Sequence, residues 1–393
     1  MHYSFLYLLS LALLPIQVVG IDLGFMTLKP SQALFILYIT ISIIDRKTRI
    51  IRPKFEVLLL SLSFLGLLLS SIFSTDPERS SILSFAYLLC LAFLFATLTY
   101  LNSISNSYRK IKATLYVSST IYSAYGISQL LLFFGGHNAN VNFESWDLVP
   151  RVPYFSAENV HAAFLLAVIP IIYIDFIAQK HKTTSLLLIS ILAINFGGLI
   201  ATGSRGAMLA LLAATLAQTI IYTSKNPKSN YFTKLTILSI SVILLVLKFF
   251  DELFIRFSSL VEGDDGTTSV RASHYEQIYR YFDSSPVFGI GLGNSLARSG
   301  HDVHNVLLQL LFEGGLAAFT PYFIAILLIL YRTFLKEKHK PIDTTQKAAS
   351  TGIFIAILLQ AMMEPSLYFY HLYLAIGLVL YSATRDARRD HRR

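Results

Sequence analysis

Charge is what this chain has least of. Only 14% of its 393 residues are Asp, Glu, Lys or Arg, against about 25% in an ordinary soluble domain. With 54% hydrophobic and 13% aromatic residues, that scarcity excludes a water-soluble globular fold and points to an all-α membrane protein. Cysteine is scarcer still. The single Cys90 lies inside an apolar run, so an intrachain disulfide is excluded and the redox compartment goes unread. The N-terminus, MHYSFLYLLSLALLPIQVVG, has signal-peptide length but lacks a Lys or Arg ahead of its apolar stretch and an A-x-A cleavage site. It leads straight into further apolar runs, so the expectation is a retained first helix.

What the chain has in abundance is apolar runs. They lie near 4–20, 32–45, 56–73, 81–101, 113–135, 159–178, 184–202, 206–223, 233–250, 305–331, 347–363 and 367–383. A spanning helix needs about 20 residues, so the sequence predicts about twelve transmembrane helices. No internal repeat, low-complexity tract or linker divides them, so residues 1–393 read as a single membrane domain.

A net charge of +9 could suggest a nucleic-acid partner. The positions of the charges exclude it. With the N-terminus in the cytoplasm, alternate loops and the C-terminal tail hold 23 of the 32 basic residues, from Arg46 through Arg393. The opposite side keeps only Lys29, Arg79, Arg151, Arg205, Lys248, Arg256, Arg271, Arg280 and Arg298. Every loop obeys the positive-inside rule with both termini cytoplasmic. The basic residues are an orientation signal.

The same alternation places two polar stretches outside the cytoplasm: a smaller loop, 136–158, and a large one, 251–304. The large loop contains SVRASHYEQIYRYF, the Gly-rich run PVFGIGLGN and HDVHN, after which the chain turns apolar again. Arg205, in TGSRGA at a helix end, is a charge at membrane depth, where ionisable groups usually serve a purpose. Arg271 and Arg280 stand nine residues apart, which at about 100° per residue puts them on opposite faces of a helix, with Arg271 the one facing a site. An arginine fork donates paired hydrogen bonds to phosphate oxygens and keeps its charge; an exterior arginine can equally pair with an acid of its own loop. His301 and His304 share a helix face at three-residue spacing, and either could act as a general base near neutral pH. No cysteine set or Glu-x-x-His partner accompanies them, which argues against zinc. GIGLGN lacks the flanking strand and helix of a dinucleotide fingerprint, and reads as a tight turn folding the loop back onto the membrane.

Ser204-Arg205-Gly206-Ala207, Arg271 with Arg280, Pro286 to Asn294, and His304-Asn305 through Leu307, Leu310 or Leu311, Glu313 and Gly315 together resemble the O-antigen ligase and polymerase superfamily, more the ligases. The resemblance implies a GT-C-like fold with a periplasmic cap, in which 251–304 carries the active site. It implies a multi-pass protein of the bacterial inner membrane working in lipopolysaccharide biosynthesis. The implied chemistry is a metal-independent, inverting glycosyltransferase reaction that needs no cofactor. A glycan moves from undecaprenyl diphosphate to a hydroxyl, on a lipid A–core acceptor in ligases or on another lipid-linked repeat in polymerases. For that reaction the catalytic candidates are His304 as base, with Arg271 and Arg205 on the diphosphate. Arg151, Arg256, Arg280, His301 and Asn305 are the candidate substrate contacts, and Glu313 is expected to buttress its helix. A protein-glycosylating relative and a lipid-linked sugar transporter remain as other readings. A transporter would place charges at mid-membrane on broken helices, whereas the polar groups here gather at one surface.

Overall fold

The computed structural model describes residues 3–17, 19–22, 27–45, 54–142, 151–153, 157–225, 276, 279–280, 282–283, 285–299, 303–334, 344–364 and 367–390. The helices are α1 (Ser4–Ala12), α2 (Pro30–Ile44), α3 (Phe55–Ile72), α4 (Pro77–Ser103), α5 (Ser107–Phe134), α6 (Glu158–Ala178), α7 (Lys182–Ala201), α8 (Arg205–Lys225), α9 (Asn294–Ser299), α10 (Val306–Phe334), α11 (Thr344–Ala361) and α12 (Tyr370–Asp390). A two-residue hairpin, β1 (Ile21–Asp22) and β2 (Thr27–Leu28), joins α1 to α2. Seven helices, α3 to α8 and α10, are long and apolar enough to cross a membrane, and α2 and residues 370–382 are shorter apolar helices. The protein is an all-α, multi-pass membrane protein.

Two sequence expectations need correcting. The first run was expected to span over 4–20, but α1 ends at Ala12. Pro15 follows it, and a proline there lacks an N–H and crowds the preceding turn. The run 305–331 was expected as one continuous helix, and it is broken inside, as described below. The expected span over 233–250 lies outside the described residues.

Apolar faces alone cannot order helices in lipid, because the surrounding tails are equally apolar. Close approach and buried polar bonds do that work instead. α6 is the central pillar, with 94% of its apolar window buried against 28% for α5 and 33% for α7. Pro170 interrupts its ladder, and Gln218 of α8 donates to the Pro170 carbonyl at 3.1 Å and to Ala348 of α11 at 3.1 Å. One buried amide thus ties three helices together. α3 meets α10 backbone to backbone, since a Cβ on Gly66 would lie 2.5 Å from the Ala317 carbonyl oxygen.

Ion pairs mark one end of the bundle. Tyr3 Oη donates to Asp45 Oδ2 at 2.7 Å, Arg332 Nε lies 2.6 Å from the fully buried Glu56, and Lys112 pairs with Asp175. These contacts join the N-terminus and the helix ends whose loops the charge count groups on one side. The polar turns at 74–76, 151–153, 202–204, 286–294 and 362–364 lie at the other end.

Candidate active site at the mouth of the bundle

The site is built around the break in α10. Gly315 adopts φ 66° and ψ −174°, a region of backbone space that only glycine occupies readily. A break inside a membrane helix frees amides and carbonyls that lipid cannot satisfy. Here the Gly-rich turn satisfies them. Ile290 and Gly291 donate to the carbonyls of Phe312 and Glu313 at 3.1 and 2.9 Å, while Leu316 and Ala317 donate to those of Pro286 and Val287, each at 3.0 Å. Gly289, at φ +69°, permits the approach, since a Cβ on it would lie 2.5 Å from the Glu313 carbonyl oxygen. The Gly-rich run is therefore a tight turn, as its glycines suggested, and it completes the hydrogen bonding of a broken helix.

Side chains lock the same junction. The carboxylate of Glu313, fully buried, accepts from the Ser295 amide at 3.2 Å, from Gln309 Nε2 at 3.1 Å and from the Ser295 hydroxyl. Ser70 of α3 donates to the Glu313 carbonyl at 2.7 Å, and Phe73 stacks on Phe288 at 4.6 Å. Residues 306–314 are thereby held as a separate half-helix, about 13 Å long at 1.5 Å per residue. Its far end is anchored to α11.

That far end carries His304 and Asn305. Asn305 caps the half-helix: its Oδ1 accepts from the amides of Leu307 and Leu308 at 3.0 and 3.1 Å, and its Nδ2 donates to the Met362 carbonyl at 3.1 Å. Both ends of its amide thus serve the backbone. His304, about a third exposed, turns Nδ1 toward Glu364, 3.7 Å from Oε2. That separation is ion-pair range for a protonated imidazole and too long for a hydrogen bond.

Met362 to Glu364 also receive the SRGA segment. A Cβ on Gly206 would lie 2.9 Å from Met363 Sδ, so the start of α8 packs directly on this turn. Arg205, exposed, is the first residue of α8. Beside it, Gly203 at φ +64° lies under the Arg151 side chain, and a Cβ there would meet Arg151 Cγ at 2.9 Å. The Arg151 strand is held by Asn142 and by the bond from Val152 N–H to the Ala201 carbonyl at 2.9 Å. The start of α8 and His304, distant in sequence, therefore both lie against the 362–364 turn, and Arg151 lies beside Gly203 just ahead of α8.

Other candidates fall elsewhere. Arg280 pairs with Glu276 at 2.8 Å on a largely exposed helical surface. Arg256, Arg271 and His301 lie outside the described residues. Sequence reasoning missed Glu364, although its signal was present: MMEPS puts an acid at the outer mouth of the penultimate apolar run, on the side poorest in basic residues. No three His, Cys, Asp or Glu side chains gather into a metal site among the described residues. A cavity of about 620 Å³, lined by Tyr108, Arg109, Lys112, Tyr116 and Asp175 among others, opens at the opposite end of the bundle. It has no part in this constellation.

The sequence profile of the O-antigen ligase family matches residues 188–323. Over that segment the chain is similar to the O-antigen ligase family. No curated protein sequence matches it. The matched segment takes in most of α7, all of α8, the Gly-rich turn and α10 as far as Phe323, and so contains Arg205, His304 and Asn305. Arg151 and Glu364 lie outside it, and the fold brings them beside Gly203 and His304 of that segment. That similarity suggests a glycosyltransferase-like membrane enzyme.

Proposed function

We propose that this chain is an O-antigen ligase, which moves a glycan from undecaprenyl diphosphate to a hydroxyl of lipid A–core. The reaction takes place with inversion on the periplasmic face of the bacterial inner membrane, with both termini cytoplasmic. The observation that supports it best is the packing of His304 and of the start of α8, which carries Arg205, on residues 362–364, with Arg151 beside Gly203 next to that helix start.

The chemistry follows from that grouping. The acceptor hydroxyl gives its proton to His304 as its oxygen attacks the anomeric carbon. The bond from that carbon to the diphosphate oxygen breaks, and the electron pair leaves with the diphosphate. Negative charge grows on that leaving group, and arginines placed before the reaction stabilise it without reorganising. Arg205 and Arg151 are the described candidates, with Arg271 and Arg256 assigned beside them from sequence. Glu364 faces His304 Nδ1, which leaves Nε2 for the acceptor and sets a negative charge beside the imidazolium as it forms. Arg280 and Asn305 have other partners, and the proposal leaves them out of the substrate contacts. No step calls for a metal or a cofactor.

The polymerase reading shares every one of these groups and differs only in acceptor. The test is therefore to incubate purified protein with undecaprenyl-diphosphate-linked glycan and EDTA, with and without lipid A–core, beside His304→Ala. Transfer to lipid A–core that the substitution abolishes is the expected result. Lengthening lipid-linked glycan without lipid A–core would make the protein a polymerase, and full activity of His304→Ala would sink the mechanism for either acceptor. Lipid crossing a proteoliposome bilayer with no transfer would favour the transporter.

A further inference from the structure

We infer that Arg79 is a further substrate-binding residue, gripping a phosphate of the lipid-anchored acceptor. The inference rests on the transferase reading above.

Arg79 is half-buried in the first turn of α4, at the same end of the bundle as the 286–294 turn. A cation there opposes the positive end of the helix dipole. It also stands on the side that the positive-inside pattern leaves poorest in basic residues. Neither folding nor orientation calls for it. Nor does an acid neutralise it: Asp76 Oδ1 accepts from the Arg79 backbone N–H at 3.0 Å as the helix cap, and among the described residues no carboxylate pairs with the guanidinium.

The side chain is nonetheless placed. It rests on the Gly-rich turn, where a Cβ on Gly293, at φ +80°, would lie 3.2 Å from Arg79 Nε. The glycine keeps bare backbone beneath the arginine. From that turn the chain runs through Ser295, which is bonded to Glu313, and the half-helix 306–314 leads from there to His304. Arg79 thus stands at one end of the half-helix, and the start of α8, which carries Arg205, lies at the other. Inversion requires the acceptor oxygen to approach opposite the departing diphosphate, so the anionic anchors of donor and acceptor belong on different sides of the base. Lipid A–core and a second lipid-linked repeat both carry phosphate on a lipid in the same leaflet. The assignment therefore holds for either acceptor.

The test is steady-state transfer by the purified full-length chain in detergent, with Arg79→Ala and Arg79→Lys. The acceptors are lipid A–core and its enzymatically dephosphorylated form. Arg79→Ala should raise the acceptor KM by about tenfold, as expected for one lost charge-assisted contact, with kcat and donor KM within about twofold. Arg79→Lys should recover part of the loss, and the dephosphorylated acceptor should abolish the difference between variants and wild type. An unchanged acceptor KM, a change confined to donor KM, or the same defect on dephosphorylated acceptor would each overturn the assignment. So would a defect seen only in nanodiscs of anionic lipid, which would make Arg79 a headgroup contact. Absence of transfer by the wild-type chain would instead overturn the transferase reading itself.

Discussion

Replacing Gly315 with alanine tests the central structural claim without touching any reacting group. A Cβ at φ 66° and ψ −174° is strained by about 1–3 kcal/mol whatever its surroundings. The surroundings are also full, since the new atom would lie 2.5 Å from the Gly289 amide nitrogen and closer still to the Val287 carbonyl oxygen. Relieving that clash separates the turn from the helix and threatens four backbone hydrogen bonds, each worth about 0.5–1.5 kcal/mol net. Losing half of them with the strain gives about 2–6 kcal/mol, a large part of a typical domain's stability. The half-helix that carries His304 would shift as well, and a displacement of about 1 Å at a reacting group can cost about a hundredfold in rate. Gly136→Ala is the control, because Gly136 also has positive φ, at 74°, but nothing lies within 4 Å of its Cβ position. It should cost only the local strain, about 1–2 kcal/mol, and leave the rate alone. Thermal unfolding in detergent and initial transfer rates read both variants. Equal unfolding temperatures and equal rates for Gly315→Ala and Gly136→Ala would refute the claim that the turn and the broken helix hold each other.

Three further substitutions probe the chemistry. His304→Ala should fold normally and lose about 10²–10⁴-fold in kcat, the usual worth of a positioned base, measured as initial glycan transfer at saturating donor. Glu364→Gln keeps the shape and removes the charge facing His304; its rate should fall by about tenfold, the equivalent of about 1.4 kcal/mol, while both KM values hold, and equal kcat would remove Glu364 from the mechanism. Asn305→Ala should lower stability by about 1 kcal/mol through loss of its cap, read as a lower unfolding temperature; an unchanged unfolding temperature with a raised donor KM would restore it as a substrate contact.

The helices were legible because lipid imposes a simple rule on composition: long apolar runs must become helices that satisfy their own backbone. Some departures carried a local signal that the apolar runs alone did not read. Pro15 stands where α1 stops, and Glu276 lies one helical turn before its partner Arg280. The break in α10 carries only a weak signal, the Gly314-Gly315 pair, inside a segment VLLQLLFEGGLAAF that otherwise reads as apolar helix. What breaks it is a turn about twenty residues upstream offering donors and acceptors to the freed backbone, a tertiary effect that no local pattern contains. The candidate site divides in the same way. Arg205 and His304 announced themselves by chemical type and position, and the structure places them near one turn. Asn305 could not be told from a ligand contact until its amide was seen capping the half-helix. Glu364 lay too far along the chain to be paired with His304 by spacing.

The three-way bond of Gln218 bears on the order in which the molecule can be made. Its amide belongs to α8 and reaches α6, which is synthesised earlier, and α11, which emerges much later. Between those events a primary amide waits in hydrocarbon with one of its two destinations missing. Gly352 then lets α11 seat against it, since any larger residue there would collide with the Gln218 side chain. The nascent bundle accordingly keeps a polar vacancy open for its penultimate helix, and the arrival of that helix closes it.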